Sequence, residues 1–136
     1  MSTSSKELLA HAQGMRSHAP EARRRAMISR AYYAAYHRCR EWAKSLPLPG
    51  PSNRQVHGVH QQLIERLADP PKSCPARQMR VAHHLAKQLT TLRERRVMAD
   101  YRLWRDISEE EMRNQQREAK EVFDWCDGWN SPPRAP

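Results

Sequence analysis

The 136-residue chain has only 4 glycines, 3 cysteines and 1 phenylalanine. Scarce glycine, without runs of alternating β-branched residues, leaves little from which to build hairpins and sheets. Cys39, Cys74 and Cys126 are widely spaced and odd in number, which fits no small disulfide framework; they read as buried or idle thiols of a reducing compartment. No apolar stretch approaches the roughly 20 residues of a membrane span, and the opening residues lack a basic region followed by an apolar run. The expected location is the cytoplasm. The sequence has neither a glycine-rich phosphate loop nor a G-x-S-x-G elbow, so P-loop hydrolysis and α/β-hydrolase chemistry are unsupported. His57 and His60 are three apart and His83 and His84 adjacent, but no Cys-x-x-Cys or His-Glu-x-x-His pattern accompanies them. No metal and no cofactor is expected.

Basic charge is plentiful: 24 Lys+Arg face 15 Asp+Glu, a formal +9. From Arg16 to Arg96 there are 17 Lys+Arg and 5 Asp+Glu, net +12, whereas Tyr101 to Asp127 has 5 and 8, net −3. A positive field of this kind attracts polyanions, and neutralising phosphates with Lys and Arg releases counterions. Charge alone is equally compatible with a solvated basic face.

Helical periodicity runs through nearly the whole chain. Ser4-Ser5-Lys6-Glu7 resembles a capping box and opens a helix over about Ser5 to Ser17. Glu21 to Ser45 holds no Pro or Gly and is the longest predicted helix. Three prolines and a glycine between Leu46 and Asn53 make a connecting loop. Val56, Val59, Leu63 and Leu67 form the apolar stripe of a third helix, Asn53 to Ala68. Val81, Leu85, Leu89 and Leu92 mark a fourth, ending near Met98. Ser108-Glu109-Glu110-Glu111 caps a fifth, which buries Met112, Ala119, Val122, Phe123 and Cys126 and stops at Gly128. These elements predict an all-α fold, one bundle of four to five helices over residues 1–128, with a disordered tail over 129–136.

Two segments are chemically dense. In Ser29-Arg30-Ala31-Tyr32-Tyr33-Ala34-Ala35-Tyr36-His37, helical spacing sets Arg30, Tyr33 and His37 on one face and turns Tyr32, Ala35 and Tyr36 to a neighbouring side. The plain structural alternative packs the tyrosines in the core with their hydroxyls bonded at its rim. The second segment runs from Leu92 to Tyr101. Arg96 and Asp100 are spaced for an i,i+4 ion pair, whereas Arg96 and Tyr101 lie about 140° apart on an uninterrupted helix and converge only where it ends or bends.

Together these segments resemble the HEPN family, specifically its small stand-alone prokaryotic members. Ser29 to His37 looks like that group's S-R-A-Y-Y-A-A-F-H signature, and Arg96-Val-Met-Ala-Asp-Tyr101 looks like its R-x-x-A-D-Y. His57-Gly58 stands where the group carries an H-S or H-G pair, and Ile107 to Glu111 looks like the acidic start of its last helix. The resemblance, from roughly Glu21 to Asp127, implies an up-and-down bundle that commonly forms homodimers. It also implies metal-independent ribonuclease chemistry at an R-x4–6-H motif, the Arg stabilising charge on phosphate and the His moving protons. Arg96 matches the Arg, but Tyr101 holds the His position, and a phenol titrating near pH 10 is a poor base at neutrality. His37 is the candidate replacement imidazole. Some toxin members pair with a nucleotidyltransferase antitoxin that adenylylates a tyrosine beside the motif, which by resemblance makes Tyr101 a candidate acceptor.

The expected function is therefore RNA or nucleotide binding in a toxin–antitoxin or defence setting, with endoribonuclease activity if the site is catalytic. The candidate catalytic residues are Arg96, Tyr101 and His37. The candidate phosphate contacts are Arg30, Arg95, Arg96 and Tyr33, supported by Asp100, Tyr32, Tyr36 and His57. The alternative is a noncatalytic module that dimerises or binds a nucleotidyltransferase.

Overall fold

The computed structural model describes residues 4–13, 21–47 and 58–128. Within them lie five helices: α1 Ser5–Gln13, α2 Glu21–Ala43, α3 Val59–Ala68, α4 Ala76–Tyr101 and α5 Glu109–Gly128. The fold is an all-α bundle. The predicted continuation of α1 towards Ser17, the loop from Leu48, the 53–57 start of the third helix with Val56 and His57, and the 129–136 tail lie outside the described residues.

Both sequence-encoded caps form. Ser4 Oγ accepts the Glu7 amide at 3.1 Å, and Ser108 Oγ accepts the Glu111 amide at 3.1 Å. Each satisfies one of the four amides a helix start leaves without a partner. Three acids in the first turn of α5 then face the positive end of its dipole.

Helix α2 is the centre of the bundle and packs against all four others. Its buried face alternates large and small side chains, with Tyr32, Cys39 and Trp42 among Ala31, Ala34, Ala35 and Ala43. The alanines allow close helix approach, and the rings fill the remaining space. From α4, Val81, Leu85, Leu89 and Leu92 are buried as predicted, as are Met112, Ala119, Val122, Phe123 and Cys126 from α5. Burying each Leu side chain contributes about 1.5–3 kcal/mol. A second, smaller cluster of Met27, Ile28, Ala99, Ile107 and Met112 closes the other end of α2. All three cysteines are buried and free.

Three boundaries depart from the sequence pattern. Helix α2 ends at Ala43, not Ser45, because the chain tightens into i→i+3 bonds from Lys44 to Glu41, Ser45 to Trp42 and Leu46 to Ala43. In α3, Val59 is 59% exposed, and the buried stripe is Leu63, Ile64 and Leu67. Gly58 precedes it at φ 80°, a left-handed conformation open to glycine and strained for other residues. Helix α4 continues past Met98 to Tyr101, and Arg25 of α2 explains why. Its Nη1 donates to Met98 O at 3.3 Å, Ala99 O at 3.0 Å and Arg102 O at 3.3 Å, satisfying carbonyls that a helix C-terminus leaves open.

Candidate functional site

The site forms where α2, α3 and α4 meet. Tyr32 and Tyr36 are buried, Tyr33 is half-buried, and Arg30 and His37 are exposed. The Tyr32 phenol sits 2.7 Å from His60 Nδ1. The His60 ring also lies against Tyr36 at 4.4 Å, Tyr32 at 5.5 Å and Tyr33 at 5.8 Å between centroids. Tyr32 thus follows the structural alternative, a core ring with its hydroxyl bonded at the rim.

Tyr33 packs edge-on against Tyr32 and His60 and carries its hydroxyl to α4. Its hydroxyl accepts Arg96 Nη2 at 3.0 Å, and the Arg96 guanidinium carbon lies 5.3 Å from its ring centroid. Arg96 Nε sits 2.8 Å from Asp100 Oδ2, an ion pair without the alignment of a hydrogen bond. Asp100 is held in turn by Ser29 Oγ, which donates to Oδ2 at 3.2 Å. Ser29, Asp100, Arg96 and Tyr33 therefore connect α2 to α4 through one polar chain. The Tyr101 ring centroid is 5.4 Å from the same guanidinium carbon. Arg96 and Tyr101 meet although α4 runs unbroken through Tyr101, contrary to the expectation that the helix must end or bend between them; the length of the two side chains closes the gap.

The electrostatics follow from these contacts. Burial alone would lower Arg96, but the oxygens of Tyr33, Asp100 and Tyr101 outweigh it and hold the guanidinium above its ordinary pKa. Burial lowers His60, and the nearby Arg93, Arg96 and His37 lower it further, so its imidazole is neutral at physiological pH. Burial pushes the Tyr32 phenol well above its usual range, so it stays protonated. Two tautomers satisfy the Tyr32–His60 bond. When His60 Nδ1–H donates to the phenol oxygen, Nε2 is free to accept a proton; when the phenol donates, Nε2 carries one. A fixed guanidinium and a neutral imidazole thus share the wall made by Tyr33.

Not every expected residue joins this cluster. Arg95 turns to α5, where Nη1 pairs with Glu118 and donates to Gln115 Oε1 at 3.3 Å. Successive helix positions are 100° apart, so only one of the two adjacent arginines can face α2. His37 lies at the cluster's edge, exposed and edge-on to Tyr36 with ring centroids 5.2 Å apart, near enough to act on His60; Arg30 is exposed. His57 lies outside the described residues. The imidazole at the site is His60, considered from sequence only as a metal ligand; its spacing from Leu63, Ile64 and Leu67 marks the buried face of α3. Arg93 was also missed. It donates to Gln61 Oε1 at 2.8 Å and lines a groove of about 490 Å³ between α3 and α4, with Gln61, Ile64, Val97 and Arg102.

Among the described residues, no three His, Cys, Asp or Glu side chains gather as a metal site, and no helix is long and apolar enough to cross a membrane. Comparison with family models, curated proteins and solved structures found no match.

Proposed function

We propose that this chain is a HEPN-like RNA- or nucleotide-binding protein in which Arg96 takes the phosphate and His60 handles the proton. The observation that carries the reading is the shared wall of Tyr33, with the Arg96 guanidinium on its ring and hydroxyl and the neutral His60 packed beside it. A fixed guanidinium stabilises charge as it develops on a phosphate oxygen. A neutral imidazole can remove the proton from a 2′-hydroxyl attacking that phosphate, and the imidazolium so formed can return it to the 5′-oxygen as the P–O5′ bond breaks, leaving a 2′,3′-cyclic phosphate and a 5′-hydroxyl. No metal is required for these two roles, so the reaction class is metal-independent endoribonuclease cleavage, in a toxin–antitoxin or defence setting. The basic run from Arg16 to Arg96 supports a polyanionic ligand.

The test is incubation of the purified protein with mixed cellular RNA in EDTA, comparing wild type with Arg96→Ala, His60→Ala and His37→Ala. The reading expects 2′,3′-cyclic phosphate ends from wild type, their loss in the Arg96 and His60 variants, and their persistence in the His37 variant. Intact RNA with salt-sensitive binding would make the protein a binding member of the class. The absence of both cleavage and binding would overturn the reading.

A second reading, a noncatalytic module that homodimerises or engages a nucleotidyltransferase, draws on the exposure of Tyr101 at the end of α4. It expects Arg96 to be dispensable and Tyr101 to be needed for the partner complex, which co-purification with each variant distinguishes.

A further inference from the structure

The turn after α4 exposes its largest apolar side chains and yet is firmly held. Tyr101, Leu103 and Trp104 are 64%, 71% and 82% exposed, three large side chains within four residues. Single exposed apolar residues are ordinary on protein surfaces, whereas a local group of them marks a contact surface. The backbone beneath is pinned from α2. Arg25 donates to the carbonyls of Arg102 and Arg105, and Arg24 Nε donates to Ile107 O at 2.8 Å. Arg105 N closes the turn on Arg102 O at 3.2 Å, and the buried Ile107 anchors its far end in the smaller core cluster. The Trp104 ring therefore stands on a fixed support.

Charge selects the ligand. Across residues 93–105, Arg95 is paired with Glu118, Arg96 with Asp100 and Arg105 with Glu111, so Arg93 and Arg102 are the arginines left without a carboxylate partner among the described residues. The Arg102 side chain is exposed and takes part in no hydrogen bond or ion pair among the described residues. A ligand that complements aromatic faces and guanidinium groups together is an unpaired nucleic-acid strand, whose bases stack while its phosphates meet the cations. Tyr101 contacts Arg96, and Trp104 is three residues further on, at most roughly 11 Å along the chain. One strand can thus reach both.

We infer that the 101–105 turn is a stacking platform for single-stranded RNA, with Trp104 against a base and Arg102 on a phosphate. This rests on the reading of Arg96 as a phosphate contact. The platform makes the protein select unpaired over duplex RNA, because paired bases do not present their faces to Trp104.

The experiment measures binding of a fluorescent unpaired RNA oligonucleotide, and of the same strand annealed to its complement, across a salt series. Wild type is compared with Trp104→Ala, Trp104→Phe, Arg102→Ala and Arg96→Ala, with circular dichroism and sedimentation of each. Losing one stacked base weakens single-strand affinity by roughly five-fold to over 100-fold in Trp104→Ala. Its salt slope is unchanged, duplex affinity does not move, and Trp104→Phe restores most of the loss. Arg102→Ala lowers the salt slope by about 0.7, the value of one single-strand phosphate. Wild-type affinity in Trp104→Ala would overturn the platform and leave the Arg96 reading standing. No RNA binding by wild type at low salt would overturn both. Unchanged RNA affinity with lost self-association in Trp104→Ala would assign the turn to a second copy of the chain.

Discussion

The Tyr32 phenol and the His60 imidazole meet at 2.7 Å, joining the core of α2 to the start of α3. The bond fixes which His60 nitrogen faces the Tyr32 phenol and leaves Nε2 outside it. Tyr32→Phe keeps the ring packing and removes this tether, with an expected stability loss of about 0.5–1.5 kcal/mol. The discriminating readout is the His60 ring signal in NMR, which should shift and broaden while the helical circular dichroism stays constant.

The lowered pKa of His60 gives stability a pH dependence of known sign. Burial is the largest cause, followed by the nearby positive charges. As pH falls below the ordinary value of 6.5, the unfolded chain takes up a proton that folded His60 resists, so stability declines and then levels once the folded form is also protonated. His84 is lowered in the same direction, first by burial, and adds to the same decline. Urea denaturation between pH 5 and pH 8 should show the fall. His60→Gln and His84→Gln should each flatten part of it; an unchanged profile in both would contradict the assignment.

Arg25 should matter more for stability than any surface cation. Its side chain is 11% exposed and bonds to carbonyls 73 to 80 residues away. Arg25→Met should cost about 2–4 kcal/mol, since it removes the side-chain donor to Ala99 O and Arg105 O and one of two donors to Met98 O and Arg102 O. Hydrogen exchange should speed up from Arg102 to Ile107 before it does in α4.

Gln115 makes a parallel case inside the bundle. Fully buried on α5, its amide donates to Leu92 O at 2.9 Å and Ile28 O at 3.2 Å, holding three helices together. Gln115→Ala should lose about 2–3 kcal/mol from the missing bonds and the space left behind. A denaturation midpoint equal to wild type would contradict this bridging role.

How legible these features were in the sequence depends on whether their partners were local. The caps at Ser4 and Ser108, the apolar faces of α4 and α5, and the Arg96–Asp100 pair involve residues three or four apart, a spacing set by helix geometry. Arg25 and His60 could not be assigned in this way. The Arg25 acceptors are backbone carbonyls 73 to 80 residues further along the chain, and His60 meets tyrosines on another helix. Adjacent Arg95 and Arg96 differ only in direction, which packing against α2 and α5 decides. The tyrosine-rich segment was readable as a functional or core feature but not divided between them; the structure gives Tyr32 to the core rim and Tyr33 to Arg96.

The most direct measurement of the Arg96–His60 claim is an NMR titration of the His60 ring with a short unpaired RNA, in wild type and in Arg96→Ala. The account predicts a saturable His60 shift in wild type that is lost in Arg96→Ala without loss of fold. Equal His60 shifts in both proteins, or a saturating RNA complex that leaves His60 unmoved, would contradict it.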